Sequence, residues 1–103
     1  MDAYQETRFN ALGDATRRAI LERLLTGPSP VGKIAAGLPV SRPAISQHLR
    51  VLERAQLVTY RSAGTRRVYQ LDPRGIDSLR EYFDRLWSQA LAAFKAKVEE
   101  ESE

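Results

Sequence analysis

Read as a pattern of apolar and polar positions, the chain resolves into five helical stretches and one strand pair. Tyr4, Phe9 and Leu12 mark a short first helix from Tyr4 to Leu12. Gly13 can end it, and Asp14 is placed to cap the next. The second helix runs to about Thr26, with Ile20, Leu21, Leu24 and Leu25 recurring at helical spacing and expected to be buried. Gly27-Pro28 breaks it. Ser29-Pro30 then offers a cap and a first-turn proline for a short helix from Val31 to Ala36, and Gly37-Leu38-Pro39 makes a tight turn.

The stretch VSRPAISQHLRVLERAQLV, Val40 to Val58, is the most informative. Ser41 is a good N-cap, and Pro43 is tolerated in the first turn, where its missing N–H has no helical partner. Val40 precedes the cap, where an apolar residue can pack back on the helix. At about 100° per residue, Ile45, Leu49 and Leu52 share one narrow sector, while Pro43, Ser46, Gln47, Arg50 and Arg54 fall on the opposite side. One face anchors the helix and the other is left to solvent or a partner.

Leu57 to Arg61 and Arg66 to Leu71 are β-branched and aromatic runs, and Ser62-Ala63-Gly64-Thr65 between them supplies the turn of a β-hairpin. Asp72-Pro73 ends it. From about Ile76 to Val98 the chain reads as one long helix. Its apolar positions, Ile76 to Val98, make a stripe roughly 140° wide, too wide for one small domain to cover. The acidic end, EEESE, is expected to be frayed and exposed. The fold class that follows is mainly α with a small β-hairpin.

Composition narrows the function. The 103 residues suit one domain. There is no cysteine, which excludes disulfides, thiolate metal sites and thiol switches. With no membrane-length apolar run and no signal-peptide core, the expected location is cytoplasmic and soluble. Net charge is +3, but 11 of the 16 Lys/Arg and only 6 of the 13 Asp/Glu lie within residues 1–72. Between Ser41 and Leu71, six arginines (42, 50, 54, 61, 66 and 67) face one acid, Glu53. A basic patch confined to one segment points to a polyanion partner. No nucleophile–base constellation and no glycine-rich phosphate loop is visible, so an enzyme is not expected.

Two helices joined by a turn as short as GLP, the second polar outward, form a helix-turn-helix, and the arginine-bearing hairpin after it makes this a winged helix. The major groove of DNA admits a helix. Arg42, Ser46, Gln47 and Arg50, with Ser41 and Pro43 at the helix start, have the groups that base edges require, and Arg54, Arg61, Arg66 and Arg67 suit phosphates or a neighbouring minor groove. A second copy is the natural cover for the terminal stripe, through Tyr4, Phe9, Leu79, Phe83, Leu86, Trp87, Ala90, Leu91 and Phe94. The organisation expected is a single domain over 1–103: an N-terminal helix 1–12, the helix-turn-helix 29–55, the wing 57–71 and a dimerisation helix 74–99.

Across nearly its whole length the chain resembles the ArsR family of winged-helix repressors. The resemblance is carried by ALGDATRRAILERLL (Ala11–Leu25), by the Val40–Val58 stretch, where Ser41, Pro43, Ser46, His48, Leu49 and Leu52 all fall on the family pattern, and by RRVYQLDP (Arg66–Pro73). It implies a homodimeric repressor on a palindromic operator, with N- and C-terminal helices forming the dimer. Metal-sensing members carry a cysteine pair in the helix before the recognition helix; Val31 to Ala36 has none. Others place Asp and His ligands on the terminal helix, whereas His48, in the recognition helix, is the only histidine here. The resemblance is therefore to a metal-free branch, with no metal and no cofactor expected.

Other readings remain open at this level. A winged-helix module could use its basic face on an acidic protein and never touch DNA, and Trp87 with Phe94 could line a small-molecule pocket rather than a dimer interface. His48, at the margin of the apolar face, is expected to be a packed, hydrogen-bonded imidazole rather than a ligand or base. Arg17 and Arg18 oppose the macrodipole near a helix N-terminus, and Asp14 is the expected intramolecular partner for one of them.

Overall fold

The computed structural model describes residues 3–102; Met1, Asp2 and Glu103, at the outer edges of the expected first helix and acidic tail, lie outside them. In chain order the elements are α1 (Ala3–Leu12), α2 (Ala15–Leu24), β1 (Ser29–Pro30), α3 (Val31–Ala36), α4 (Arg42–Arg54), β2 (Val58–Ala63), β3 (Arg66–Leu71) and α5 (Pro73–Glu101). The fold is mainly helical, with a winged helix-turn-helix made of α3, α4 and the β2–β3 hairpin.

The caps read from the sequence at Asp14 and Ser41 form, and the structure adds a third at Asp72. The Asp14 carboxylate accepts from the Arg17 amide at 3.0 Å and starts α2. Ser41 Oγ accepts from the Ala44 amide and starts α4, with Pro43 in its first turn. Asp72 starts α5, accepting from the Arg74 amide and holding the Arg74 guanidinium at 2.7 Å. That hydrogen bond, more than anything else around it, holds the buried Asp72 carboxyl below the usual carboxylate range.

The inner faces of α2, α3 and α4 meet over one core. Ile20, Ile34, Ile45, Leu49, Leu52 and Leu57 are fully buried, with Val58 and Tyr69 closing it from the hairpin. Burying each of the large aliphatic side chains stabilises the fold by about 2 kcal/mol.

Four expectations are corrected. Ser29-Pro30 does not cap α3. Pro30 precedes that helix without a side-chain cap, and the pair is a short strand against β3, with Ser29 opposite Tyr69 and Pro30 opposite Val68. The wing is thus a three-stranded antiparallel sheet in the order β1-β3-β2. Leu25 is 73% exposed, because α2 ends at Leu24 and Leu25 lies furthest round from the Ile20–Leu24 line. The arginines of α2 do not turn to the Asp14 carboxylate. Arg17 donates to the carbonyls of Ala11 and Asn10, and Arg18 to that of Leu12. They sit at the negative end of α1, which offsets their poor position on α2. Finally, α5 extends through Glu101, so the acidic end, as far as it is described, is exposed helix.

α1 sets Phe9 and Leu12, both partly buried, against the core. Its buried residues are Gln5, Arg8 and Ala11, whereas Tyr4 is exposed. The chain leaves α4 through a Schellman turn. The Leu57 amide reaches the Leu52 carbonyl and the Gln56 amide that of Glu53, with Gln56 in the left-handed region at φ 60°. Gly75 of α5 lies directly on this turn; a Cβ there would fall 2.0 Å from the Gln56 carbonyl oxygen. α5 then runs past the rest of the chain. The described residues measure 67 × 25 × 24 Å with a radius of gyration of 18.0 Å, against about 13 Å for a compact chain of this size.

Gly75→Ala tests that packing. Alanine's helix preference gains about 1 kcal/mol over glycine, but the clash is with backbone and costs about 1–3 kcal/mol, so the clash is expected to win. Urea unfolding at fixed protein concentration should show a lower midpoint for Gly75→Ala. Gly32→Ala, where the nearest atom is 3.9 Å away, should not lower it.

Candidate nucleic-acid interface

The outward face of α4 carries Arg42, Pro43, Gln47, Arg50 and Arg54, all exposed, with Ser46 half-buried among them and Ser41 at the cap. The face is polar because the opposite one is sealed: Ile45, Leu49 and Leu52 show no exposed surface. Arg50 Nη1 lies 3.4 Å from Gln47 Oε1, so these two side chains present adjacent donors and acceptors.

The wing is set against this face by strand alternation. Tyr60 pairs with Tyr69, their rings 5.4 Å apart, on the side facing the core. Arg67 shares that side, with its guanidinium 4.4 Å from the centre of the Tyr60 ring. Hydrogen bonding to the Tyr69 side chain, and then the nearby Tyr60, raise its already high pKa further. Arg66 lies on the other side of the hairpin, opposite Ala63. Both reach the groove from the hairpin tip, where Gly64, at φ +64°, makes the two-residue turn that lets the strands close.

Between α3, α4 and the wing tip lies a groove of about 530 Å³ whose charged lining is Lys33, Arg42, Arg50, Arg66 and Arg67, with Ser46 also lining it. Five cations and no acid line it, and this is the potential a polyanion backbone seeks. Tertiary structure therefore brings together five of the residues expected to touch DNA: Arg42, Ser46, Arg50, Arg66 and Arg67. Two others stand apart. Arg54 lies with Glu53 and Arg50 along a shallower concavity, and Arg61, opposite Val68, is on the outer side of the hairpin. Lys33 was missed from sequence. Its signal was positional: the helix before a recognition helix crosses the phosphate backbone.

His48 is 22% exposed, with Nδ1 3.5 Å from an Arg17 guanidinium nitrogen and 4.0 Å from Asp14 Oδ1. It is the packed, partnered imidazole expected. The Arg17 amide is the main cause of the lowered Asp14 pKa, and His48 adds to it.

A second surface is apolar. Phe83, Leu86, Trp87, Leu91, Phe94 and Val98 of α5 are each between 48% and 69% exposed, forming a patch of the kind soluble chains rarely leave open. Phe9 packs edge-on against Tyr82 and Phe83, with centroids 5.1 and 6.1 Å apart, and so ties α1 to the start of this patch. Leu79 does not belong to it; only 8% exposed, it is part of the chain's own core. Trp87 stands open on the surface. The cavity nearest it, about 520 Å³, is polar and lies between α1 and α5, lined by Gln5, Ser78, Glu81, Tyr82, Arg85, Leu86 and Gln89. No helix among the described residues is long and apolar enough to cross a membrane.

Comparison with known proteins agrees with this geometry. A helix-turn-helix domain family matches residues 12–61, from the end of α1 through most of β2. The HTH-type transcriptional regulator Rv2034 of Mycobacterium tuberculosis is 56% identical over 95 residues, covering 92% of this chain and 89% of that protein. An ArsR-like transcriptional regulator from Rhodococcus sp. RHA1 is 32% identical, with a TM-score of 0.77, over 94% of this chain and 92% of that one. The homodimeric winged helix-turn-helix DNA-binding domain of a possible ArsR-family regulator from Mycobacterium bovis is 25% identical, with a TM-score of 0.69, over 85% of this chain and 82% of that one. The chain is a transcriptional regulator and not an enzyme, and it belongs to the ArsR family of winged helix-turn-helix proteins.

Proposed function

We propose that the chain is a cytoplasmic, sequence-specific repressor that binds a palindromic operator as a homodimer and does not respond to metal ions. The observation that carries this reading is the groove between α4 and the wing, where Lys33, Arg42, Arg50, Arg66 and Arg67 converge without an acid. Residues 1–103 act in this reading as one domain, with the helix-turn-helix at 29–55, the wing at 57–71 and the dimerisation helices at 1–12 and 74–99.

The division of labour follows from position. Arg42, Ser46, Gln47 and Arg50, with Ser41 and Pro43 at the helix start, enter the major groove and read base edges. Lys33, Arg54, Arg61, Arg66 and Arg67 hold phosphates or an adjacent minor groove. Tyr4, Phe9, Phe83, Leu86, Trp87, Ala90, Leu91 and Phe94 meet a second copy; the homodimeric state of the Mycobacterium bovis relative supports this assignment. A two-fold dimer then sets two recognition helices about one DNA turn, roughly 34 Å, apart. Repression follows by occupation: an operator overlapping a promoter is closed to polymerase while the dimer sits on it.

The absence of a metal response rests on ligand chemistry. Soft ions want thiolates, and the sequence has none; borderline ions want several imidazoles, and it has one histidine. Release from DNA depends on a non-metal effector, a protein partner or the repressor's own concentration.

The central test is selection from a pool of random duplexes, which should enrich two inverted half-sites. No enrichment at all would refute the reading and leave a protein-interaction module in its place.

Two substitutions separate the contributions to binding. Arg50→Ala should cost about 1–3 kcal/mol on the selected duplex and much less on random DNA. Arg66→Ala should weaken both alike and flatten the slope of log affinity against log salt by about one. The opposite pattern would exchange their roles.

Zinc, nickel, arsenite and peroxide, titrated to micromolar levels against the preformed complex of tag-free protein, should leave the DNA bound. Release by any of them would overturn the claim of metal and redox indifference.

A further inference from the structure

Arg8 is the one charged side chain of α1 that is buried, at 5% exposure, and among the described residues no carboxylate lies within ion-pair distance of it, although it is close enough to the buried Asp72 to help lower that carboxyl's pKa. Every group it hydrogen-bonds is neutral, and these come from three elements. Nε donates to the Ala55 carbonyl at 3.1 Å, at the C-cap of the recognition helix. Nη2 donates to Gln56 Oε1 at 2.9 Å. Nη1 donates to Ser78 Oγ of α5 and to Gln5 Oε1 of α1, both at 3.0 Å. Ser78 Oγ in turn donates to Gln5 Oε1, and the Gln5 amide reaches the Ser78 carbonyl.

A buried guanidinium with no carboxylate at ion-pair distance needs negative potential from elsewhere, and Asp72 supplies part of it at longer range. The contact that Arg8 makes directly is with the C-terminal end of α4, where the last carbonyls gather. The contact also answers for Gln56, whose left-handed backbone would ordinarily call for glycine at this turn; the Arg8 bond fixes its side chain in place. Gly75, packed on the Gln56 carbonyl, and the Asp72 amide, donating to the Leu57 carbonyl, bind the start of α5 to the same turn. The recognition helix is thus gripped at one end by the two helices that carry the proposed dimer surface.

We propose that Arg8 is a positioning residue for DNA binding: by clamping the α4 C-terminus to α1 and α5, it sets the angle of each recognition helix relative to the dimer, and hence the half-site spacing the dimer accepts. This rests on the dimeric DNA-binding reading above. Arg8 touches no DNA in this scheme. It transmits the geometry of the dimer base to the reading head, and any change that shifts α1 against α5 reaches α4 through it.

The experiment uses the full chain and the duplex enriched by the wild-type protein, together with versions whose central spacer is one to three base pairs longer or shorter and a duplex holding a single half-site. Wild type should bind the original spacing best and lose affinity steeply on either side. Arg8→Met, which keeps the stem but no donor, should bind the original spacing at least tenfold more weakly and show a flattened spacing profile. Its affinity for the single half-site should stay within about twofold of wild type. Arg8→Lys, with the charge but not the fork, should fall between the two, and Ser78→Ala should shift in the same direction by less. A dimeric Arg8→Met with the wild-type spacing profile would overturn the proposal, as would equal losses on half-site and full site, which would mean simple damage to α4. If Arg8→Met does not fold, Arg8→Lys and Ser78→Ala decide by the same criterion. Should wild type enrich no sequence, the DNA reading fails by itself, and amide exchange then decides the clamp. Faster exchange at Ala55 to Leu57 in Arg8→Met, with α2 and α3 unchanged, would support it, and unchanged exchange at those residues would overturn it.

Discussion

The sealed inner face of α4 is the constraint on which the rest depends. Ile45, Leu49 and Leu52 are held without exposed surface by α2, α3 and the hairpin. A helix carrying three arginines on its other side would have little reason to keep one position in water. Packing removes its freedom to roll, so the polar face becomes a fixed surface with a defined spacing of donors. Specific recognition of a rigid partner needs that fixity, because misplaced donors cost more in lost hydrogen bonds than the charges recover.

Each end of α4 is held by a different device. At the N-terminus Ser41 caps the helix through its own backbone neighbourhood. At the C-terminus the chain turns through Gln56, and the holding groups come from distant segments: Arg8, Ser78, Gly75 and Asp72. The first is local and inexpensive. The second requires α1 and α5 to be already in place, which ties the reading helix to the helices of the proposed dimer. The same economy appears at α1, whose carbonyl end is covered by Arg17 and Arg18 of the following helix. The paired arginines that looked misplaced on α2 are well placed for α1.

The two faces offered to partners obey opposite physics. The groove beside the wing is cationic and wet, suited to a partner whose grip weakens with salt. The α5 stripe is apolar, with aromatic residues that gain by leaving water. Phe9 at its start and Arg8 a residue earlier lie in the same turn of α1, about 100° apart, so the apolar surface and the buried polar clamp share one short helix.

The sequence by itself determined the elements whose signals are local. Asp14 and Ser41 announced their caps, the Ile45–Leu49–Leu52 spacing announced the inner face of α4, and the β-branched runs around Gly64 announced the hairpin, because caps, helical period and turns depend on residues a few positions apart. Six arginines between Ser41 and Leu71 announced the character of the partner. What only the tertiary structure decided involves residues far apart in the chain. Ser29-Pro30 became a strand because β3 offered an unpaired edge, a fact no local preference encodes. Leu79 went inward and Phe83 stayed out, although both belong to one stripe, because the core ends between them. Lys33 joined the groove only once α3 lay beside the wing. Arg8 was least legible of all. Hydrophobic periodicity selects apolar residues, and a buried guanidinium is satisfied by a helix end and side chains 47 to 70 residues away; its burial follows from the geometry of three packed elements, and that geometry exists only after folding.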